Sequence, residues 1–354
     1  METYHDKLNA ENTLKLREMQ KALPLFVAGF FRALSDQTET RTRLGYAYDL
    51  KIFFGFLSEE VLDGTPMRDI SIADMTTITS DHIEEFMEYL TYYIPQRDTT
   101  QNPTPSDTPH QNAALGKSRK LAAVRGLFKH LYMKKHIPAN PAELVAFPKI
   151  NQKAITTLEA NEVAKLLDEV DSGEGLNPRQ KQFHALTKLR DAAIITLLLG
   201  TGMRVSECVG LDLKDLDFET NALRVIRKGG GEMVLYFGDE VCAALSAYLD
   251  EREEADPVLG HENALFLSLQ NRRITDRAIQ NMVKKYAGII TKLKNISPHK
   301  LRSTFGTQLY AETGDIYLVA NVLGHADVNT TRKHYAKMDD NHRRRAANLV
   351  RLRD

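Results

Sequence analysis

The sequence predicts a mainly α protein of the α+β class: a helical bundle followed by a mainly helical second domain with a small antiparallel sheet. Three observations predict it. Apolar residues recur at helical spacing through most of the chain, two β-prone runs flank the turn KGGGE at 228–232, and a proline-containing connector separates two helical regions. A length of 354 residues suits two domains, and 42% hydrophobic against 27% charged residues excludes wholly disordered or collagen-like chains.

The N-terminal stretch METYHDKLNAENTLKLREMQ is polar, reads as a leading helix and lacks the apolar centre of a signal peptide. Tyr46, Leu50, Phe53, Phe54 and Leu57 then form one apolar stripe, and Ile83, Phe86, Met87 and Leu90 form a second. Residues 95–116 are rich in Pro, Thr, Asn and Gln and read as a long exposed loop, with a helix resuming at Lys117. This places a first domain at 1–148 and a linker at 149–156. The second domain, 157–354, opens with the capping-box pattern Thr156-Thr157-Leu158-Glu159 and the stripe Val163, Leu166, Leu167, Val170. Residues 192–199 are apolar all round and predict a central buried helix ended by Gly200 and Gly202; 222–237 predict a hairpin. From Asp239 the pattern is mostly helical again, ending in a basic tail helix at 339–354.

Charge is informative only locally. Lys plus Arg equals Asp plus Glu at 47 each, yet 117–136 carries seven cations and no acid. The ordinary reading is a solvated helix face. The alternative is contact with several nucleic-acid phosphates, for which Lys117, Arg119, Lys120, Arg125 and Lys129 are the candidates. No run approaches ~18 apolar residues, so no membrane span is expected. Cys208 and Cys242 are isolated, which suits a reducing cytoplasm and builds neither a disulfide framework nor a cysteine metal site.

Several chemistries fail their motif tests. Gln111 stands where a phosphate loop ending in Gly116-Lys117-Ser118 needs a glycine, and His261-Glu262 lacks a second histidine at zincin spacing. No metal and no cofactor is expected. What remains is a set of cations and imidazoles in the second domain. Arg204 begins a helix in GTGMRVSE, where helix N–H groups and a guanidinium together attract an oxyanion. Ser297 as N-cap and Pro298 as first helical residue put His299 and Arg302 on one helix face, and Gly324 ends a helix immediately before His325. Taken singly, each is an ordinary salt-bridge, surface or core residue.

Taken in order, Arg204 in TGMRVSE, Lys228 in the hairpin, His299-x-x-Arg302, Leu323-Gly324-His325 and Tyr335 resemble the catalytic domain of the tyrosine recombinase family. The first domain is similar to that family's helical core-binding domain. The closest subgroup is the Xer type, and the length and leading helix resemble its single-recombinase XerS branch. The resemblance implies that Tyr335 attacks a DNA phosphodiester to give a 3′-phosphotyrosyl bond without metal or ATP. Arg204 and Arg302 would stabilise the phosphorane, His299 would accept the phenol proton, Lys228 would protonate the leaving 5′-oxygen, and His325 would hold a non-bridging oxygen. Glu207 would orient its neighbours. Tyr335 lies ten positions after His325, one more than the family usually shows, so a one-residue loop extension before the tyrosine is expected.

The resemblance further implies double-stranded recombination sites as partner, a homo-tetramer on DNA joined by exchange of the 339–354 tail, and a DNA translocase as a candidate accessory. It points to chromosome dimer resolution in the cytoplasm, at the nucleoid. Its rivals are an integrase of a phage or conjugative element, a regulator that keeps the fold without cleavage, and, more distantly, a relaxing topoisomerase.

Overall fold

A capping box starts the first helix of the computed structural model, which describes residues 3–94, 110–150, 156–227, 230–324 and 328. The Thr3 hydroxyl accepts the Asp6 N–H and the Asp6 carboxylate accepts that of Thr3, satisfying two otherwise orphaned donors of α1 (Tyr4–Lys21). The chain divides into two compact units, Met1–Gln152 and Lys153–Asp354.

The first unit continues with α2 (Val27–Ala33), α3 (Thr40–Phe56), α4 (Ile72–Thr77), α5 (Ser80–Tyr89) and α6 (Ala114–Met133). The two apolar stripes meet here. Leu50, Phe53 and Phe54 of α3, Phe86 of α5 and Phe128 of α6 are fully buried. Phe53 lies edge-on to Phe86 at 5.0 Å and to Phe128 at 6.1 Å, an arrangement that aligns the positive ring edge with a negative ring face. Helix α6 starts three residues earlier than the charge run suggests. His110 and Tyr93 exchange backbone hydrogen bonds of 2.7 and 3.0 Å, and the Asn112 side chain donates to Leu90 O at 3.1 Å, so 110–112 is pinned and the chain turns into helix at once. The remainder of the expected loop, 95–109, lies outside the described residues.

The second unit contains α7 (Ala160–Ser172), α8 (Pro178–His184), α9 (Lys188–Thr201), α10 (Val205–Gly210), β1 (Leu216–Asp217), β2 (Ala222–Ile226), β3 (Glu232–Tyr236), α11 (Asp239–Glu253), α12 (Asp276–Ile290), α13 (Pro298–Thr313) and α14 (Ile316–Leu323). The apolar run forms α9 as expected, with Ile194, Ile195, Leu197 and Leu198 buried among α7, α11 and α13. Gly200 does not break this helix. A Cβ there would lie 2.5 Å from Val241 Cγ2, so its glycine admits α11, whereas Gly202 at φ +63° ends α9. The capping box also moves. Leu158 is buried and its N–H donates to Thr304 Oγ1 at 3.0 Å, which keeps 156–158 out of the helix; the box falls instead on Glu159, whose N–H Glu162 accepts at 2.8 Å.

The sheet is antiparallel in the order β1-β2-β3, with Leu223 opposite both Leu216 and Leu235. Between α11 and α12 the chain is irregular rather than helical. Its carbonyls are satisfied by side chains: Arg252 donates to Glu262 O and Ala264 O, and the Tyr248 hydroxyl to Leu265 O at 3.1 Å. No helix among the described residues is long and apolar enough to cross a membrane.

Candidate active site

Gly202 turns the chain so that Arg204 becomes the N-cap residue of α10. Its N–H donates to Glu207 Oε2 at 2.8 Å, its Nη1 to Glu207 Oε1 at 2.7 Å and its Nη2 to Gly324 O at 3.3 Å. The Glu207 side chain is only 2% exposed, so this carboxylate gives up water for charged partners and fixes the arginine's direction. Arg302, in the first turns of α13, is buried; its Nη1 donates to Gly202 O at 2.6 Å and its Nη2 to Leu323 O. Arg204 and Arg302 therefore meet at the C-terminal end of α14, whose carbonyls form the negative pole of that helix. Gly324 closes α14 at φ +61°, one residue before His325.

A third guanidinium joins them. Arg227, one residue beyond β2, donates from Nη1 to Leu323 O at 2.7 Å and from Nη2 to Val322 O at 3.1 Å, and its Nη1 lies 3.5 Å from Glu207 Oε1. Burial draws its pKa below the ordinary guanidinium value; Glu207 opposes this and Arg204 adds to it. The sequence held a signal for it. Leu223, Val225 and residue 227 share one strand face, and the first two are buried, so an arginine at the third must point inward and find anionic or carbonyl partners.

Of the expected site residues, Arg204, Arg302 and Glu207 come together around Leu323 and Gly324. His299 stands exposed at the start of α13, one helical turn from Arg302. Lys228, His325, Tyr335 and the 339–354 tail lie outside the described residues.

The basic helix α6 is less uniform than its composition suggests. Lys129 is exposed, and Lys117 is at the surface with its Nζ donating to Thr91 Oγ1 at 2.6 Å. Arg119 is half exposed, with Nη2 at 2.7 Å from the fully buried Asp49. Lys120 corrects the expectation: it is buried at 5% exposure and donates to Asn112 Oδ1 at 2.8 Å, so it faces the protein rather than phosphates. Arg125 is likewise committed inward, donating to Ala142 O, Glu143 O and Val145 O, because it closes the chain that follows α6 onto that helix. Asp49 explains part of this polarity. Burial pushes its pKa up to about 6, against the pull of Arg119 and Lys120, and burial also lowers that of Lys120.

The family model described as the phage integrase family matches residues 156–342, more than half of the chain. Tyrosine recombinase XerC of Caldanaerobacter subterraneus subsp. tengcongensis is 34% identical over 311 residues, covering 86% of this chain and 79% of that protein. XerC of Pelobacter propionicus is 30% identical over 293 residues, 83% of each. The crystal structure of XerH site-specific recombinase bound to palindromic difH substrate, a post-cleavage complex, superposes with a TM-score of 0.60. At 24% identity it covers 87% of this chain and 78% of that one, which shows the shared fold. The chain belongs to the phage integrase family and, within it, to the Xer-type tyrosine recombinases, which cut and rejoin DNA strands at specific sites through a tyrosine intermediate.

Proposed function

We propose that Tyr335 is the nucleophile of this recombinase and that Arg204, His299, Arg302, His325 and Lys228 serve its attack on duplex DNA. The observation that carries the reading is the convergence of Arg204 and Arg302 on the carbonyls of residues 323 and 324, directly before His325. In the step itself the Tyr335 oxygen bonds to phosphorus and the bond from phosphorus to the 5′-oxygen breaks. His299 takes the phenol proton, since a tyrosine of pKa about 10 needs a base at neutral pH. Lys228 gives a proton to the departing 5′-oxygen. Negative charge growing on the phosphorane is met by two guanidinium groups, each a rigid planar fork of donors, and by His325 at a non-bridging oxygen. Glu207 holds Arg204 in the orientation this requires. The 3′-phosphotyrosyl product retains a phosphodiester, so an incoming 5′-hydroxyl reseals the strand without ATP or a metal ion.

In this reading the first unit is the core-binding domain, with Lys117, Arg119 and Lys129 positioning the DNA backbone. Four copies assemble across two sites, each tail 339–354 docking into a neighbour. The biological outcome is resolution of chromosome dimers, with a DNA translocase as accessory partner. The XerC relatives favour this role over integration of a mobile element.

A nicked suicide substrate tests the central step. Wild type is expected to give a covalent DNA adduct and Tyr335→Phe none; an adduct that persists in the variant removes Tyr335 from the mechanism. Truncation after Lys337 is expected to weaken cooperative assembly on paired sites, and unchanged assembly argues against tail docking.

A further inference from the structure

We propose that Arg227 is a positioning residue for the general acid: it latches the start of the hairpin turn to the end of α14, so that Lys228 leaves the sheet from a fixed point. This rests on the assignment of Lys228 as proton donor given above. The latch has three parts. The Arg227 backbone closes the turn, its N–H donating to Gly231 O at 2.7 Å and its carbonyl accepting the Gly230 N–H at 3.0 Å. Its side chain, 11% exposed, reaches Leu323 O, Val322 O and Glu207. Gly324 makes room for it: a Cβ there would lie 2.5 Å from Arg227 Nη1 and 2.6 Å from Cζ.

On the far side of the turn, a Cβ built on Gly230 or Gly231 meets nothing within 4 Å, so these two glycines have open space beside them. A lysine delivered from a glycine-rich turn has many conformations to lose before it can protonate a leaving group. Fixing its predecessor removes a share of that entropy. The same guanidinium grips the helix end that precedes His325, and it shares Glu207 with Arg204. One side chain therefore ties three of the chain segments from which the site is built.

The experiment separates proton delivery from support of the fold. Single-turnover cleavage is measured on a suicide duplex carrying either the natural 5′-oxygen or a 5′-sulfur at the scissile phosphate. A thiol has a pKa near 8.5, so the sulfur departs as thiolate without a proton, while the phosphorane still needs its guanidinium groups. Arg227→Gln is expected to slow cleavage of the oxygen substrate roughly 10²-fold, the order expected for a displaced catalytic group, and to recover near wild-type rate on the sulfur substrate. Lys228→Ala is expected to show the same recovery, and the double variant to be no slower on oxygen than Lys228→Ala alone. Arg227→Lys keeps the buried charge without the fork and guards against a folding defect; it is expected to follow Arg227→Gln with a smaller loss. If the Arg227 variants lose as much on sulfur as on oxygen while Lys228→Ala recovers, Arg227 supports the fold or the phosphate and the proposal falls. If Lys228→Ala itself does not recover, the general-acid assignment falls and this proposal with it.

Discussion

Asp49 offers a stability effect with a defined sign and pH window. Its carboxylate is fully buried between α3 and α6, and neither oxygen accepts a well-aligned hydrogen bond among the described residues although Arg119 Nη2 is 2.7 Å away. Burial raises its pKa from 3.8 to about 6. The folded chain then binds this proton more tightly than the unfolded chain, so stability from this group is full below pH 3.8. It is lost as pH rises toward 6 and stays lost above it. At 1.36 kcal/mol per pH unit the loss is about 3 kcal/mol. Asp49→Asn, close in shape to the protonated acid, is expected to match wild type near pH 4 and to exceed it by about 3 kcal/mol at pH 7. Urea unfolding of the full chain, wild type beside variant at half-unit pH steps, reads the difference. A difference that stays flat from pH 4 to 7, or that favours wild type at pH 7, would show that attraction to Arg119 and Lys120 outweighs desolvation and would refute the reasoning.

Three further expectations follow from local geometry. Gly202→Ala forces a Cβ to 2.3 Å from Phe305 Cδ1 at φ +63°, whereas Gly64→Ala at φ +79° meets nothing within 4 Å. Thermal melting is expected to show a loss of about 1 kcal/mol for Gly64→Ala from backbone strain alone and about 3 kcal/mol for Gly202→Ala, with overpacking added. Lys129→Gln is expected to lower the log-log salt slope of DNA binding by about 0.9 and Lys120→Gln to leave it unchanged, because only the former side chain reaches solvent. Equal slopes for the two variants would contradict that division. Glu207→Gln weakens a charge-assisted hold on Arg204 of about 1.5 to 3 kcal/mol, so single-turnover cleavage is expected to fall roughly 10- to 100-fold. An unchanged rate would mean that Gly324 O alone orients the arginine.

Periodicity made the buried seams legible. The stripe through Leu50, Phe53 and Phe54 and the apolar run of α9 need only the helical repeat and the absence of polar interruptions, and both are core. Boundaries set by distant partners were not legible. Nothing near Thr156 announces that Thr304 will take the N–H of Leu158, 146 positions before it, and push the helix start to Glu159. Gly200 shows the same limit: its role is defined by Val241 on another helix, so composition suggests a breaker where tertiary packing needs a close approach. Within the candidate site, Arg204, Arg302 and Glu207 were readable from local helix-start patterns and family order. For Arg227 the strand alternation signals an inward side chain but not its partners, which lie on α14 almost a hundred residues later. Lys120 illustrates the reverse error, since a run of like charge says nothing about which member faces inward.

The open surroundings of Gly231 have a practical use. An introduced thiol there, Gly231→Cys, would carry a fluorescent reporter on the hairpin turn, three positions along the chain from Lys228, without displacing any described neighbour. Background is low on two counts: the chain has no tryptophan, and Cys208 is buried, which raises its thiol pKa and shields it from reagent. With the partly exposed Cys242 changed to serine, emission from that tip would report DNA arrival and strand release in real time, one protomer at a time.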